Sequence, residues 1–174
     1  MPDDFSFEDE DRLDSSFFGP SEEGERPPRD HDALDEKEVK VIGVYEHREE
    51  GNPRPSAFVL VRDAAERSVL IFIGNYEAML IWRALKGLSA DRPLTHDLLS
   101  NVVDRMGGKI ERVLIDDLWN STYYAKVSIT HNGNTIDVDA RPSDGIAVAL
   151  RAKAPIYMAE EVLERAAVLP NNSS

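Results

Sequence analysis

DVDARPSDGIAVALR, residues 137–151, packs a strand end, a turn and a helix start into one short run. Successive side chains of an extended strand face opposite ways, so Asp137, Asp139 and Arg141 share one face and Ile136, Val138 and Ala140 the other. The apolar set is assigned to the core. The two carboxylates stand roughly 6–7 Å apart by strand rise, close enough to call for water, a cation or a metal between them. Pro142-Ser143-Asp144 then signals a helix N-terminus, with Ser143 as cap and Asp144 in the first turn. A strand end meeting a helix start suits anion chemistry.

Working outward, the same pattern occurs earlier in the chain. Residues 56–86 lie over residues 123–153 at a constant offset of 67 without a gap. In that overlay Phe58–Val61 falls on Ala125–Ser128, Val69–Ile73 on Ile136–Ala140, and the helix Glu77–Lys86 on Asp144–Lys153. Asn75 is the predicted cap of the earlier helix. A preceding strand, Lys40–Glu46, resembles Lys109–Ile115, and Asn132-Gly133 is a two-residue hairpin signal. Thr95 caps a further helix running to about Met106, and a last helix spans about Ala159–Val168 after the extended Pro155-Ile156-Tyr157. The expected fold is α+β: a duplicated strand-strand-strand-helix-helix unit with a mostly antiparallel sheet.

The chain has 174 residues with 41% hydrophobic content, enough for one domain with a core. Its net charge of −13 is uneven: residues 1–39 hold 15 acids and 4 bases, leaving 18 acids and 16 bases beyond them. Residues 1–39 are therefore read as a disordered acidic tail, 40–169 as the domain and 170–174 as a flexible C-terminus. Cysteine is absent, which removes disulfides and thiolate nucleophiles. His31, His47, His96 and His131 are scattered and form no zinc motif. With no apolar run long enough to span a bilayer, the expectation is a soluble cytoplasmic protein without a membrane partner.

The comparison of the two copies directs attention to function. Leu70 and Phe72 in the first copy correspond to Asp137 and Asp139 in the second, so one face stays apolar while its counterpart turns acidic. The apolar face is the expected contact of a homo-oligomer. The acidic face either meets solvent or lines a metal or phosphate site.

At this point the chain resembles the bifunctional nuclease domain proteins, a group named for a plant member with both DNase and RNase activity. The resemblance rests on Ile73-Gly74 followed by Glu77-Ala78, on RPLTHDLL from Arg92, on Thr122–Ala125, on DARPSDGIAVALR from Asp139, and on Pro155-Ile156-Tyr157. These blocks span about residues 40–168. Gly145 stands where the family usually has Ala, and Leu70-Ile71 replaces a frequent Leu-Pro. Because glycine costs a helix about 1 kcal/mol relative to alanine, Gly145 marks a place where backbone packs closely.

The resemblance implies a nuclease acting on DNA or RNA, and the residues supply candidates for each part of that chemistry. Asp137, Asp139 and Asp144 are candidate ligands for Mg²⁺ or Mn²⁺ through hard oxygen donors. Arg141 and Arg92 are candidate phosphate clamps. His96, just after Thr95, is a candidate general acid or base, with Asp139 and Arg141 the other catalytic candidates. Ser143 and Tyr124 join Arg92 as candidate substrate contacts, Tyr124 by stacking on a base. The competing expectation is a non-catalytic, homo-oligomerising module that holds an anion or ligand at the Arg141–Asp144 motif.

Overall fold

The computed structural model describes residues 34–47 and 56–168. In chain order the elements are β1 (Glu36–His47), β2 (Ser56–Asp63), β3 (Ser68–Ile73), α1 (Asn75–Leu85), α2 (Thr95–Arg105), β4 (Gly108–Trp119), β5 (Thr122–His131), β6 (Asn134–Ala140), α3 (Pro142–Ala152), β7 (Ile156–Ala159), α4 (Glu160–Ala166) and β8 (Ala167–Val168). The strands form one sheet in the order β6-β5-β4-β7-β1-β2-β3-β8. Two antiparallel meanders, β1-β2-β3 and β4-β5-β6, are joined by β7, which runs parallel to β4 and antiparallel to β1. The architecture is thus α+β, and its duplication is visible in three dimensions.

Even an irregularity is repeated. β1 is bulged between Val41 and Gly43, and β4 between Ile110 and Arg112. The gapless overlay, however, misplaces β5 by one residue. Val59 and Val61 pair with Ile71 and Val69, and their equivalents are Val127 and Ile129, paired with Val138 and Ile136. An offset of 67 puts Lys126 where a buried valine belongs. The cause lies in the turns: Asn132 and Gly133 adopt φ of 50° and 77°, the left-handed pair that a two-residue hairpin turn requires. The first copy instead closes through a longer loop, in which Arg67 bonds Asp63 at 2.8 Å and Glu160 at 2.6 and 2.9 Å.

The core is built from the inward faces of both meanders, including Val59, Val69, Ile71, Val113, Ile115 and Ala125, under α1 residues Leu80 and Ile81 and α3 residues Ile146 and Val148. Each large aliphatic side chain buried there contributes about 1.5–3 kcal/mol. Gly145 marks a tight approach of helix to sheet: a Cβ on it would lie 2.9 Å from Val113 Cγ1. Tyr123, at the start of β5, donates its hydroxyl to the Leu70 carbonyl of β3 at 3.4 Å. Strands far apart in the sheet order therefore meet, and the sheet bends round its core.

Three local expectations need correction. Ile136 and Val138 are 51% and 44% exposed rather than core, because β6 is an edge strand that the helices do not cover. Ser143, Thr95 and Asn75 are not caps: the N-caps of α3, α2 and α1 are Arg141, Leu94 and Gly74. Pro142 takes the first helical position, where a missing N–H costs nothing, and draws Ser143 into the buried first turn. Lastly, β1 starts at Glu36 and not Lys40, since Glu36–Val39 pair with β7, a strand contributed much later in the chain. Of the segments read as tails, residues 1–33 and 170–174 lie outside the described residues.

Candidate active site

All three larger helices that pack together carry an acid in the first turn: Glu77 in α1, Asp97 in α2 and Asp144 in α3. Carboxylates are favoured there by the helix dipole, but here they also bind the helices to one another. Asp97 accepts from the Leu94 N–H at 2.9 Å and from Arg151 Nε at 2.5 Å. Arg151 also donates to the carbonyls of Ala147 and Leu80, so one buried guanidinium ties α2, α3 and α1 together. Burial raises the Asp97 pKa, but the Leu94 N–H and Arg151 outweigh it and hold the carboxyl below its usual range.

This clasp fixes the start of α2 against the start of α3 and so delivers His96 to Asp144. His96 is the one buried residue of α2, while Leu98, Leu99 and Val102 of the same helix are exposed. Such an inversion, imidazole in and leucine out, opposes the hydrophobic patterning of an ordinary surface helix. His96 Nε2 lies 2.9 Å from Asp144 Oδ1. A carboxylate only accepts, so Nε2 carries the proton. Nδ1 is left as a lone-pair acceptor, buried and without a hydrogen-bond partner.

Arg141 completes the cluster. Its Nε donates to Asp144 Oδ2 at 2.7 Å and its Nη2 to Asp144 Oδ1 at 3.2 Å, and Nη1 reaches Glu77 Oε1 at 3.1 Å. Burial pushes the Asp144 pKa up, yet the donors from Arg141 and His96 prevail and the carboxyl is held below its usual range. Arg141 itself remains 66% exposed. The equivalent of Arg141 in the first copy is Gly74, where a Cβ would come within 2.3 Å of Glu77 Oε2. The glycine lets the Glu77 side chain fold back over the helix start.

A cleft of about 440 Å³ opens beside this cluster, in the gap between α2 and the edge strand β6. Its walls include Leu99, Val103, Ile129, Val138 and Val148 together with His96, Arg141 and Asp144.

The structure brings together His96, Asp144 and Arg141 of the sequence candidates and adds Glu77. Asp139, at the end of β6, borders the same cleft as His96, Asp144 and Arg141. Asp137 does not: it accepts from Ser128 Oγ at 2.6 Å. The partners of Asp137 and Asp139 across the strand are Ser128 and Lys126. The three acids expected to share a metal are therefore not gathered into one group, and Arg141 pairs with Asp144 and Glu77. Among the described residues no group of three or more His, Cys, Asp or Glu side chains is arranged to hold a metal ion. Tyr124 alternates with Tyr123 and Ala125 and so points away from the cleft, Ser143 is buried in the first turn of α3, and Arg92 is exposed in the loop before α2. Spacing gave no sign that Asp97 and Arg151, 54 residues apart, would form the clasp.

Comparison with known proteins now bears on this geometry. A family model described as the bifunctional nuclease domain matches residues 58–171. The chain belongs to the bifunctional nuclease domain family. An uncharacterised protein of Mycobacterium tuberculosis (strain H37Rv) is 38% identical over 133 residues, covering 76% of this chain and 77% of that protein. Bifunctional nuclease 2 of Oryza sativa subsp. japonica is 28% identical over 112 residues, 63% of this chain and 34% of that protein. Bifunctional nuclease 1 of Arabidopsis thaliana is 26% identical over 109 residues, 61% of this chain and 34% of that protein. The chain thus spans about a third of the plant proteins whose names carry the activity. Among the described residues no helix is long and apolar enough to cross a membrane.

Proposed function

We propose that this chain is a nuclease that hydrolyses phosphodiester bonds of DNA or RNA with low sequence specificity, and that His96, Asp144 and Arg141 are its working residues. The observation that carries this is the buried imidazole of α2, held by a carboxylate and set against an exposed arginine. Hydrolysis needs a water deprotonated, the phosphoryl oxygens neutralised and the leaving oxygen protonated. His96 Nδ1, closed off from solvent in this arrangement, is the acceptor for the water proton once substrate binding uncovers it, and Asp144 holds the ring and stabilises the imidazolium that results. Arg141 offers its planar fork to the phosphate, and Glu77 holds it in place until substrate arrives. The protonated imidazole then returns the proton to the departing oxygen.

The sequence also suggested Mg²⁺ or Mn²⁺. Asp144 is engaged by His96 and Arg141 and Asp137 by Ser128, and although Asp139 borders the same cleft as Asp144 the three acids are not grouped to share an ion in this arrangement, so no step is routed through one. The test is cleavage of single-stranded DNA and RNA by the purified chain with Mg²⁺, with Mn²⁺ and with EDTA. Cleavage in at least one condition is expected, and cleavage in none overturns the nuclease reading.

A second reading is favoured by a different observation. Tyr45 stacks on Phe58 and Phe58 meets Phe72 in a tilted contact across β1, β2 and β3, with centroid separations of 5.6 and 5.8 Å, and Tyr45 and Phe72 are exposed. Leu60 and Leu70 extend this apolar face, and Tyr45 lies over Gly43, where a Cβ would meet the ring at 3.0 Å. The face is apolar at its centre, which suits a second copy of the same face. On this reading the chain is a homo-oligomer, whether catalyst or regulatory module. Light scattering should give a multimer that Phe72→Asp reduces to a monomer; a monomeric wild type contradicts it.

A further inference from the structure

The nuclease reading leaves the apolar cleft beside His96 and Arg141 without a task. We infer that this cleft takes one unpaired nucleobase, so that the substrate class is single-stranded or locally unpaired nucleic acid. The inference rests on the nuclease reading for the position of the phosphate.

Four observations support it. The volume of about 440 Å³ falls within the roughly 300–1,000 Å³ of small-molecule sites, room for a base and part of its sugar. The walls are aliphatic, with Arg141 and His96, the groups suited to a phosphate, in the same lining as the carboxylates Asp139 and Asp144. That is the distribution a nucleotide presents, apolar ring faces joined to an anionic backbone. Leu99 and Val138 bound the cleft while 49% and 44% exposed, and a base seated between them removes that apolar surface from water. His96, with its side chain 8% exposed and Nδ1 unpartnered, marks the cleft as built for an occupant, since buried polar atoms ordinarily have partners.

Charge argues for a single strand over a duplex. Residues 40–174 hold 16 bases against 18 acids, whereas proteins that track duplex backbones rely on many cationic contacts. A base inside a duplex is stacked and must be extruded at a cost of a few kcal/mol before any pocket can hold it. A single strand escapes that cost and presents a base directly.

The test compares an oligothymidylate with the same phosphodiester backbone carrying tetrahydrofuran in place of every base. Wild type should show kcat/KM about tenfold or more higher on the base-bearing strand, the order of effect that one base contact carries. Val138→Trp and Leu99→Trp, at half-exposed positions where bulk does not disturb the core, should each bring the ratio close to one. Equal cleavage of both backbones by wild type overturns the base pocket and leaves the nuclease reading standing. A second arm does not depend on turnover: a single-stranded oligonucleotide containing 2-aminopurine is titrated with the intact chain. A fluorescence change that Val138→Trp weakens about tenfold supports the pocket even if nothing is cleaved, in which case the nuclease reading alone falls. Equal affinity for the abasic strand, or for the duplex form of the probe, overturns the pocket.

Discussion

The two copies of the repeat begin their helices with Gly74-Asn75-Tyr76-Glu77 and Arg141-Pro142-Ser143-Asp144, and they have been put to different uses. Both place a carboxylate in the first turn over the same kind of strand end. In the first copy glycine makes room for Glu77 to fold back, and the helix start holds no buried base. In the second, arginine replaces glycine, and α2, the helix that follows the first copy, brings His96 across to Asp144. Duplication therefore supplied two equivalent acids, and the reactive arrangement arises where one of them gained an imidazole and a guanidinium.

The largest expected effect is on that imidazole. His96→Gln keeps a polar side chain in the buried position but removes the proton acceptor, so kcat should fall about 10²–10⁴-fold while the melting temperature moves by only a few degrees. Calorimetry alongside a cleavage assay separates the two effects.

The first copy should respond in stability instead. Arg67→Ala leaves Asp63, whose side chain is 3% exposed, with only backbone N–H donors and frees Glu160, a loss of about 1.5–3 kcal/mol for charge-assisted bonds. The pH dependence follows from the shifts. Burial raises the Asp63 pKa, but Arg67 and nearby N–H groups prevail and lower it, and Arg67 likewise lowers Glu160. Both folded values lie below the unfolded ones. The stabilisation is thus fully present above about pH 5 and is lost as pH falls through the ordinary carboxylate range, near pH 4, towards the lowered values. In Arg67→Ala the acid limb of a melting-temperature profile should flatten; an unchanged limb removes Arg67 from this role.

Arg141→Gly makes the second helix start resemble the first. It deletes charge-assisted bonds worth about 1.5–3 kcal/mol, so kcat/KM should drop about 10–100-fold, with KM rising if the guanidinium holds phosphate in the ground state. An unaltered KM and kcat would assign Arg141 to structure alone. The smallest change is Gly145→Ala, which matches Ala78 of the first copy. Helix propensity favours alanine by about 1 kcal/mol, but the new Cβ meets Val113 at 2.9 Å and overpacking costs about 1–3 kcal/mol. The net should be about 1 kcal/mol of destabilisation by denaturant melts, and Val113→Ala in the same chain should relieve it.

Much of this fold was legible because the repeat and the turn chemistry are local. Asn132-Gly133 specifies its hairpin through left-handed backbone, and the helix of each copy follows its third strand at the same spacing. What local pattern could not reveal was long-range pairing. β7 enters between the copies, and its partner Glu36–Val39 lies in a segment whose composition reads as tail. The apolar side of β6 reads as core by alternation, yet an edge position leaves Ile136 and Val138 exposed. The site was legible in part for the same reason. His96, Arg141 and Asp144 stand out as residue types at helix starts, whereas their mutual contact depends on α2 lying beside α3. The paired acids Asp137 and Asp139 were conspicuous in the sequence, but they do not act as a pair: Asp137 is taken by Ser128, and Asp139 alone borders the cleft that holds the histidine.

The sharpest contrast is between Asp144, beside the imidazole, and Asp137, bonded to Ser128 away from the cleft. The direct measurement is kcat/KM on a single-stranded oligonucleotide for Asp144→Asn and Asp137→Asn, each variant checked for an unaltered melting temperature. A loss of about 10²-fold or more is expected for Asp144→Asn, by misorienting the general base, and activity within a few-fold of wild type for Asp137→Asn. Full activity in Asp144→Asn with loss in Asp137→Asn would take the chemistry away from the histidine and overturn the proposed site.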